Sequence, residues 1–501
     1  MDGSDKETLR VLWVSLVEFP PLCEKLGTSA PDSCGWMWSS AKVLLKMMPE
    51  LKMGVIVYSY SKKYIKYDVD GISYYLVPCH SMHRTSEAQV NNCRQAIDDF
   101  RPQFIHIHGT EHSLARAVCE ANKQELPIVA NIQGLGGGIL PFTDGGLSLW
   151  SKFANITLLD FYRGTFMISA KSKMAKRAKN EREVIERLTD IIGRTQWDYD
   201  HAITMNPNIR YHFMNETLRD SFYEKPIWSY ENCKKHTIFV SNSGVPLKGA
   251  HQVLKALPII IQKYPDVKVC FCGSSVMSND WKSIIRFQGY HVYLRRLVKK
   301  LNLQEHVHFL GVLNEKQMKQ AFLDANVYVL PSAIENSPNS LCEAQILGVP
   351  TIAAYVGGVP TLVEESRTGY MYRYEEIEML AQTVIRLFGQ TDFEELSRHE
   401  RDVALRRHDG EYIKLRGVDF GKGAKQFNIT AAATGGCTIS LHLDSTDGPV
   451  VGTVTIGKTG SVEKYRTFSG KVKNATGVHD LYICFDKAAG DVRLDWWQFK
   501  K

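Results

Sequence analysis

Val327-Tyr-Val-Leu-Pro-Ser-Ala-Ile-Glu335-Asn-Ser-Pro-Asn-Ser-Leu-Cys-Glu343-Ala-Gln-Ile-Leu-Gly348 is the stretch on which the fold turns. Four consecutive apolar residues from Val327 to Leu330 read as a strand buried on both faces, and Pro331 ends it. Ser337 ahead of Pro338 predicts a helix N-cap with proline at the first helical position, and Gly348 predicts the C-terminal cap. Glu335 then lies on the loop before the helix and Glu343 about a turn and a half inside it. Two glutamates eight residues apart mean little alone. Here the strand, the acidic loop and the capped acidic helix follow in order. Free backbone N–H groups across Asn336, Ser337, Asn339, Ser340 and Leu341 favour a phosphate, while a carboxylate further in can bond sugar hydroxyls.

Working outward, a series of short β-branched runs surrounds this stretch: Thr237-Ile-Phe-Val-Ser, Val267 to Gly273, His306 to Gly311, Asn326 to Pro331 and Pro350 to Ala354. A helix starting near Gly249 puts Val253, Leu254, Leu257 and Ile261 on one face, suited to covering a sheet. An earlier series comprises Leu9 to Ser15, Gly54 to Tyr58, Phe104 to His108, Pro127 to Asn131 and His201-Ala-Ile-Thr. Strands alternating with helices in this way predict an α/β chain with two Rossmann-like doubly wound domains, whose ligands lie beyond the carboxyl ends of the strands. After about residue 409 the period changes to two. Cys437, Ile439, Leu441 and Leu443 alternate with polar residues, and turn clusters recur about every ten residues, as in a β-sandwich. The expected domains are 1–225, 226–408 and 409–501.

Composition agrees with several soluble cores. The 501 residues are 44% apolar and 23% charged, which excludes collagen-like and disordered classes. Lys and Arg exceed Asp and Glu by 61 − 54 = 7, too mild a surplus for a nucleic-acid binder. The opening residues lack the pattern of a signal peptide, and the most apolar window, Ile156 to Ala170, is broken by Asp160 and Arg163; a cytoplasmic protein is expected. The 11 cysteines are scattered, and Cys270-Phe-Cys272 has no second ligand pair, so reduced and mostly buried thiols are expected rather than a metal site. Asp68-Val-Asp70 reads as a turn. Lys171, Lys173, Lys176, Arg177, Lys179 and Arg182 form a basic run that reads either as a solvated helix face or as a peripheral contact with anionic lipid.

Glu335 and Glu343 match the E-x7-E motif of the retaining glycosyltransferases of family 4, which residues 9 to 405 resemble; that family has the GT-B fold, with a nucleotide-sugar between two Rossmann-like domains. Lys248-Gly249 matches its basic strand-to-helix loop, and Phe271-Cys-Gly273, Phe309-Leu-Gly311 and Gly357-Gly-Val-Pro360 fall in the family's order. In the first half Gly35-Trp36, His108-Gly109 and Gly134 look like the loops that close on the donor diphosphate and admit the acceptor. Arg194-Thr-Gln-Trp-Asp198 and Asn215 to Phe222 resemble the bacterial branch that builds surface polysaccharides.

The resemblance implies metal-independent, cofactor-free transfer from a UDP- or GDP-sugar to a glycan or lipid-linked acceptor. It implies that Glu335 faces the sugar, Glu343 the ribose, Lys248 the diphosphate and His108 the acceptor, with Gly35, Ser243, Gly249 and Gly273 along the donor, and Gly134 and Arg194 on the acceptor side. One departure stands out: many members carry Arg where this chain has Ser243, leaving fewer fixed cations and supporting an alternative, a weak or inactive carbohydrate-binding protein.

The last segment resembles carbohydrate-binding modules of family 6 through Tyr412 to Gly421, Leu443-Asp-Ser, Gly477 to Tyr482 and Leu494 to Phe499, beginning partway into that family's pattern as a truncated module would. Positions that the family uses for an aromatic platform and an amide read Val462 and Arg493, leaving Tyr412 and Tyr465 as stacking candidates. The junction Ala404 to Gly410 replaces the family's returning helix, as in a recombined or artificial fusion.

Overall fold

The computed structural model describes residues 8–28, 35–59, 63–79, 81–278, 280–281, 285–389, 406–407, 412–461 and 464–500. The chain divides into two compact units, residues 1–393 and 394–501.

The first unit contains two sheets. One is built from β1 (Arg10–Ser15), β2 (Lys52–Ser59), β3 (Ile65–Val69), β4 (Ile72–Pro78), β5 (Phe104–His108), β6 (Ile128–Asn131), β7 (Asp190–Gly193) and β8 (Arg210–Phe213), in the order β3-β4-β2-β1-β5-β6-β7-β8. All its pairings are parallel except β3 with β4, a hairpin turned by Asp70 and Gly71, both at positive φ. The other sheet is wholly parallel: β9 (Thr237–Val240), β10 (Lys268–Phe271), β11 (Val307–Phe309), β12 (Val327–Leu330), β13 (Thr351–Ala354) and β14 (Tyr370–Tyr372), ordered β11-β10-β9-β12-β13-β14. Its strand order reverses between β9 and β12, and that of the first sheet between β1 and β5. In a doubly wound sheet such reversals are where ligands bind.

Three local expectations are corrected. His201 to Thr204 is not a strand but part of the helix Gln196–Met205, started by a reciprocal capping box between Thr195 and Asp198 that outweighs a short β-branched run. The helix after β9 spans Ala250–Lys263 and completes its buried face with Ile260 rather than Ile261. The helix carrying Glu343 spans Asn339–Leu347; Pro338 occupies its N-cap with extended ψ of 111°, which leaves Ser337 in the loop without a capping bond, while Gly348 closes it at φ 80°.

The second unit is a two-sheet sandwich, each sheet of four antiparallel strands. One sheet orders Arg406–Arg407, Val492–Lys500, Gln426–Ala433 and Arg466–Lys471; the other orders Tyr412–Asp419, Val478–Asp486, Cys437–Leu443 and Val450–Ile456. Alternate residues such as Phe427, Ile429, Ile439, Leu441, Ile483 and Phe485 meet in its core, as the period of two requires. Tyr412 and Tyr465 are exposed, and the Tyr412 ring lies 5.4 Å from that of Tyr482. Val462 and most of the Ala404–Gly410 junction lie outside the described residues. Among those described, no helix is long and apolar enough to cross a membrane, and no three His, Cys, Asp or Glu side chains converge on a common point where a metal could sit.

Candidate functional site

Between β9 and β12 two loops are forced together. The chain leaves β9 through Ser241-Asn242, makes a tight turn at Pro246–Lys248 and enters the next helix at Gly249, whose φ is 68°. A Cβ on Gly249 would stand 1.7 Å from the carbonyl oxygen of Pro331, so only glycine lets the basic loop pass this close to the end of β12. Ala333 N–H donates to the Leu247 carbonyl at 2.8 Å and fixes the register of the two loops.

Lys248 Nζ therefore reaches Glu335 Oε1 at 2.5 Å, and Ser332 Oγ donates to the same oxygen at 2.6 Å. Gly357 and Gly358 close over the Glu335 backbone, where a Cβ on Gly357 would fall 2.1 Å from its carbonyl oxygen. Deeper in, Arg219 holds Glu343 with both ends of its fork, Nε to Oε1 at 2.8 Å and Nη2 to Oε2 at 2.6 Å. Burial pushes the Glu343 carboxyl up, and the Arg219 guanidinium opposes that rise. Arg219, Ser241, Asn242, Lys248, Ser340 and Glu343 line one cavity of about 190 Å³. A larger cavity, about 740 Å³, is lined by the Ala333-Ile334 loop and walled by Gly138, Phe142, Trp197, His201, Tyr355 and Arg373.

Ser243 brings no charge to this site. It is buried, its hydroxyl donates to the Cys272 carbonyl at 3.0 Å, and Gly273, at φ 126°, passes so near that a Cβ there would stand 2.8 Å from Ser243 Oγ. Asn336 is buried with its amide oxygen accepting from Thr195 Oγ1 at 3.0 Å; Leu341 is buried beneath the helix start, and Ser340 Oγ accepts from Tyr328.

The first half contributes differently. His108 ends β5 beside the strand-order reversal, 4% exposed, its ring 4.4 Å from that of Trp13 and 5.6 Å from that of Trp36, which follows Gly35 at the start of the helix Gly35–Met47. Burial, with His106 alongside, holds its imidazole well below the ordinary range. Gly134 precedes a glycine-rich turn whose amides at Gly136 and Gly137 already donate to Glu181, at 2.6 and 3.2 Å. Burial pushes the Glu181 carboxyl up to about 8, against those two amides. Arg194, expected on the acceptor side, is buried at the start of the Asn339–Leu347 helix: Nη1 lies 2.8 Å from Glu216 Oε2 and donates to Asn339 Oδ1 at 3.3 Å. The carboxylate of Glu216 draws it there and also accepts from Asn339 and Gln133.

Arg219, Glu216 and Glu181 were not assigned roles from the sequence. Arg219 is 124 residues from Glu343 and Glu181 is 45 from Gly136, so no local spacing links either pair. The only signal was that Glu216 and Arg219 fall within the Asn215–Phe222 resemblance.

Residues 227–400 match the family described as glycosyl transferases group 1, and residues 390–501 match the carbohydrate binding module, family 6. The chain joins a group 1 glycosyltransferase domain to a family 6 carbohydrate-binding module. A D-inositol 3-phosphate glycosyltransferase of Streptomyces scabiei is 29% identical over 126 residues, which is 25% of this chain and 27% of that protein. An arabinoxylan arabinofuranohydrolase of Paenibacillus polymyxa is 38% identical over 95 residues, 18% of this chain and 15% of the hydrolase. The chain thus spans well under a third of either relative. In three dimensions it is similar to Anabaena HepE, solved in complex with UDP-glucose, with a TM-score of 0.53 at 16% identity, covering 79% of this chain and 94% of that one. That likeness identifies the α/β region as a GT-B fold.

Proposed function

We propose that the chain is a retaining, metal-independent glycosyltransferase that moves a sugar from a UDP- or GDP-sugar to a glycan or lipid-linked acceptor in surface polysaccharide synthesis. The contact between Lys248 and Glu335 at the β9/β12 reversal carries the reading, because it sets a cation and a carboxylate side by side where a doubly wound sheet receives its ligand. On this reading Lys248 leaves Glu335 for the donor diphosphate and stabilises the charge that grows as the glycosidic bond breaks. Glu335 then faces the transferred sugar. Glu343 accepts from the ribose hydroxyls, for which Arg219 yields one carboxylate oxygen. The larger cavity, with Trp197 and Tyr355 as stacking faces, receives the acceptor. The basic helix face from Lys171 to Arg182 lies against anionic lipid on the inner side of the membrane.

The test is donor hydrolysis, with UDP- and GDP-sugars, in the presence of EDTA. Turnover that survives chelation is expected; turnover abolished by EDTA and restored by magnesium would overturn the metal-independent assignment. The buried, uncharged Ser243 favours a second reading, a carbohydrate-binding protein with little catalysis. Calorimetric binding of UDP without hydrolysis of any donor would select it.

A further inference from the structure

Helices at a protein surface bury apolar side chains and expose charged ones. Two short helices in the first half do the reverse. In Leu149–Phe153 the buried residue is Lys152, 7% exposed and paired with Asp144 at 2.8 Å, while Leu149, Trp150 and Phe153 face outward, Trp150 at 79% exposure. In Leu158–Arg163 the buried residue is Asp160, 2% exposed, while Leu158, Phe161 and Tyr162 face outward at 88%, 68% and 89%.

The inversion follows from what lies beneath. Lys152 turns in to Asp144, while Asp160 and the two residues that follow the first helix bond one helix of the second half, Gly289–Lys300: Asp160 Oδ2 accepts from Gly289 N–H at 3.0 Å, and Arg296 donates to the Ala154 carbonyl at 2.7 Å and to Asn155 Oδ1 at 2.9 Å. With these polar groups engaged inward, six large apolar side chains on two consecutive helices are left exposed. Scattered apolar residues are normal on a surface; six on two consecutive helices are not.

Charge identifies the occupant. Arg163 ends the second helix, and exposed Lys171, Lys173 and Lys176 follow on Ala170–Ile185, with Lys173 Nζ donating to the Gly164 carbonyl at 2.7 Å, so the basic face adjoins the apolar one. Tryptophan, tyrosine and phenylalanine beside lysine are the residues that settle at the boundary between lipid headgroups and acyl chains, and basic side chains draw them to anionic lipid. We infer that the Leu149–Arg163 helix pair is an interfacial membrane anchor that inserts Trp150, Phe153, Leu158, Phe161 and Tyr162 into an anionic bilayer surface, with the following lysines on the headgroups. This deepens the lipid contact proposed above, which rested on the basic face alone, and does not depend on the donor chemistry.

The experiment is co-sedimentation of the full chain with vesicles of phosphatidylcholine and phosphatidylglycerol in equal amounts, and of phosphatidylcholine alone. Binding to the anionic vesicles is expected. The double variant Trp150→Glu, Phe161→Glu should weaken partitioning by about tenfold or more, and Lys173→Glu, Lys176→Glu should weaken it less while reducing its sensitivity to salt. Both variants alter exposed residues outside the donor site, so donor hydrolysis without vesicles should be unchanged and certifies folding. Undiminished partitioning of the apolar variant would overturn the anchor, whether or not the lysine variant still leaves the basic face as a lipid contact. Failure of the unaltered chain to bind either vesicle would overturn both. A concentration-dependent dimer that the apolar variant abolishes, with no vesicle binding, would assign the patch to a second copy of the chain instead.

Discussion

Both Rossmann-like halves reverse their strand order once, at β1/β5 and at β9/β12, yet the two reversals carry opposite chemistry. At β9/β12 the groups are ionic and partnered: Lys248 with Glu335, Arg219 with Glu343. At β1/β5 they are buried and aromatic, with His108 packed against Trp13 and Trp36. In the turn that follows the next strand, β6, the amides of Gly136 and Gly137 are occupied by Glu181 from the chain itself. The same topology thus gathers paired ionic side chains at one reversal and packed rings at the other. The difference arises from where charges are held, not from the sheets.

The most forceful way to break this contrast is to remove the charges of the second half one at a time. Glu335→Gln is expected to lower kcat by about 10²-fold or more with donor affinity nearly unchanged, whereas Glu343→Gln should weaken donor binding more than turnover. Equal losses of affinity and turnover in both variants, measured by steady-state kinetics and calorimetry, would show that the two carboxylates do not divide the work. Next in size is Arg219→Ala. Because Glu343 is buried, leaving it without its partner should cost about 3 kcal/mol of stability, read as a lowered denaturation midpoint; a change under about 0.5 kcal/mol would mean that solvent already screens the pair.

The smallest effect sharpens the other side of the comparison. Glu181 is held near pH 8 in the fold against an ordinary 4.5, so the native state binds its proton more tightly than the unfolded chain does. Its contribution is complete below about pH 4.5 and is lost as pH rises through about 8. Thermal melts of the unaltered chain should therefore fall across that window more steeply than those of Glu181→Gln, which cannot ionise. Parallel curves would show that Glu181 stays ionised and the first half is not kept neutral.

Much of this was legible in the sequence where information is local. The apolar run Val327–Leu330 became β12, buried at every position, because a strand covered on both faces needs an uninterrupted apolar run; Phe104–His108 became β5 although His106 and His108 interrupt its apolar residues. Lys248-Gly249 was placed on a loop through its match to the family's basic strand-to-helix loop, and the chain turns there with Gly249 at φ 68°. His201–Thr204 failed because the capping box at Thr195 and Asp198 starts a helix that runs through this short β-branched stretch. The partners of the site residues were less legible still. Nothing around Glu343 announces Arg219, and nothing around Gly136 announces Glu181, since each pairing exists only after the chain has closed loops of many residues.

The bonds made by residue 145 bear on how such a chain can be recombined. Gly145, at φ 57°, lies where a Cβ would stand 2.2 Å from the Pro246 carbonyl oxygen, and its own carbonyl accepts from Tyr374 OH at 2.7 Å and His251 Nε2 at 3.0 Å. Burial holds His251 near 4, so at neutral pH its single ring proton sits on the nitrogen facing Gly145. A chimera that exchanged the second half for another sheet of identical topology would forfeit both donors, and with Gly289 and Arg296 the seat of the outward-facing helices as well. Compatibility between halves thus depends on a few partners bonded from one half to the other, and not only on the likeness of their folds.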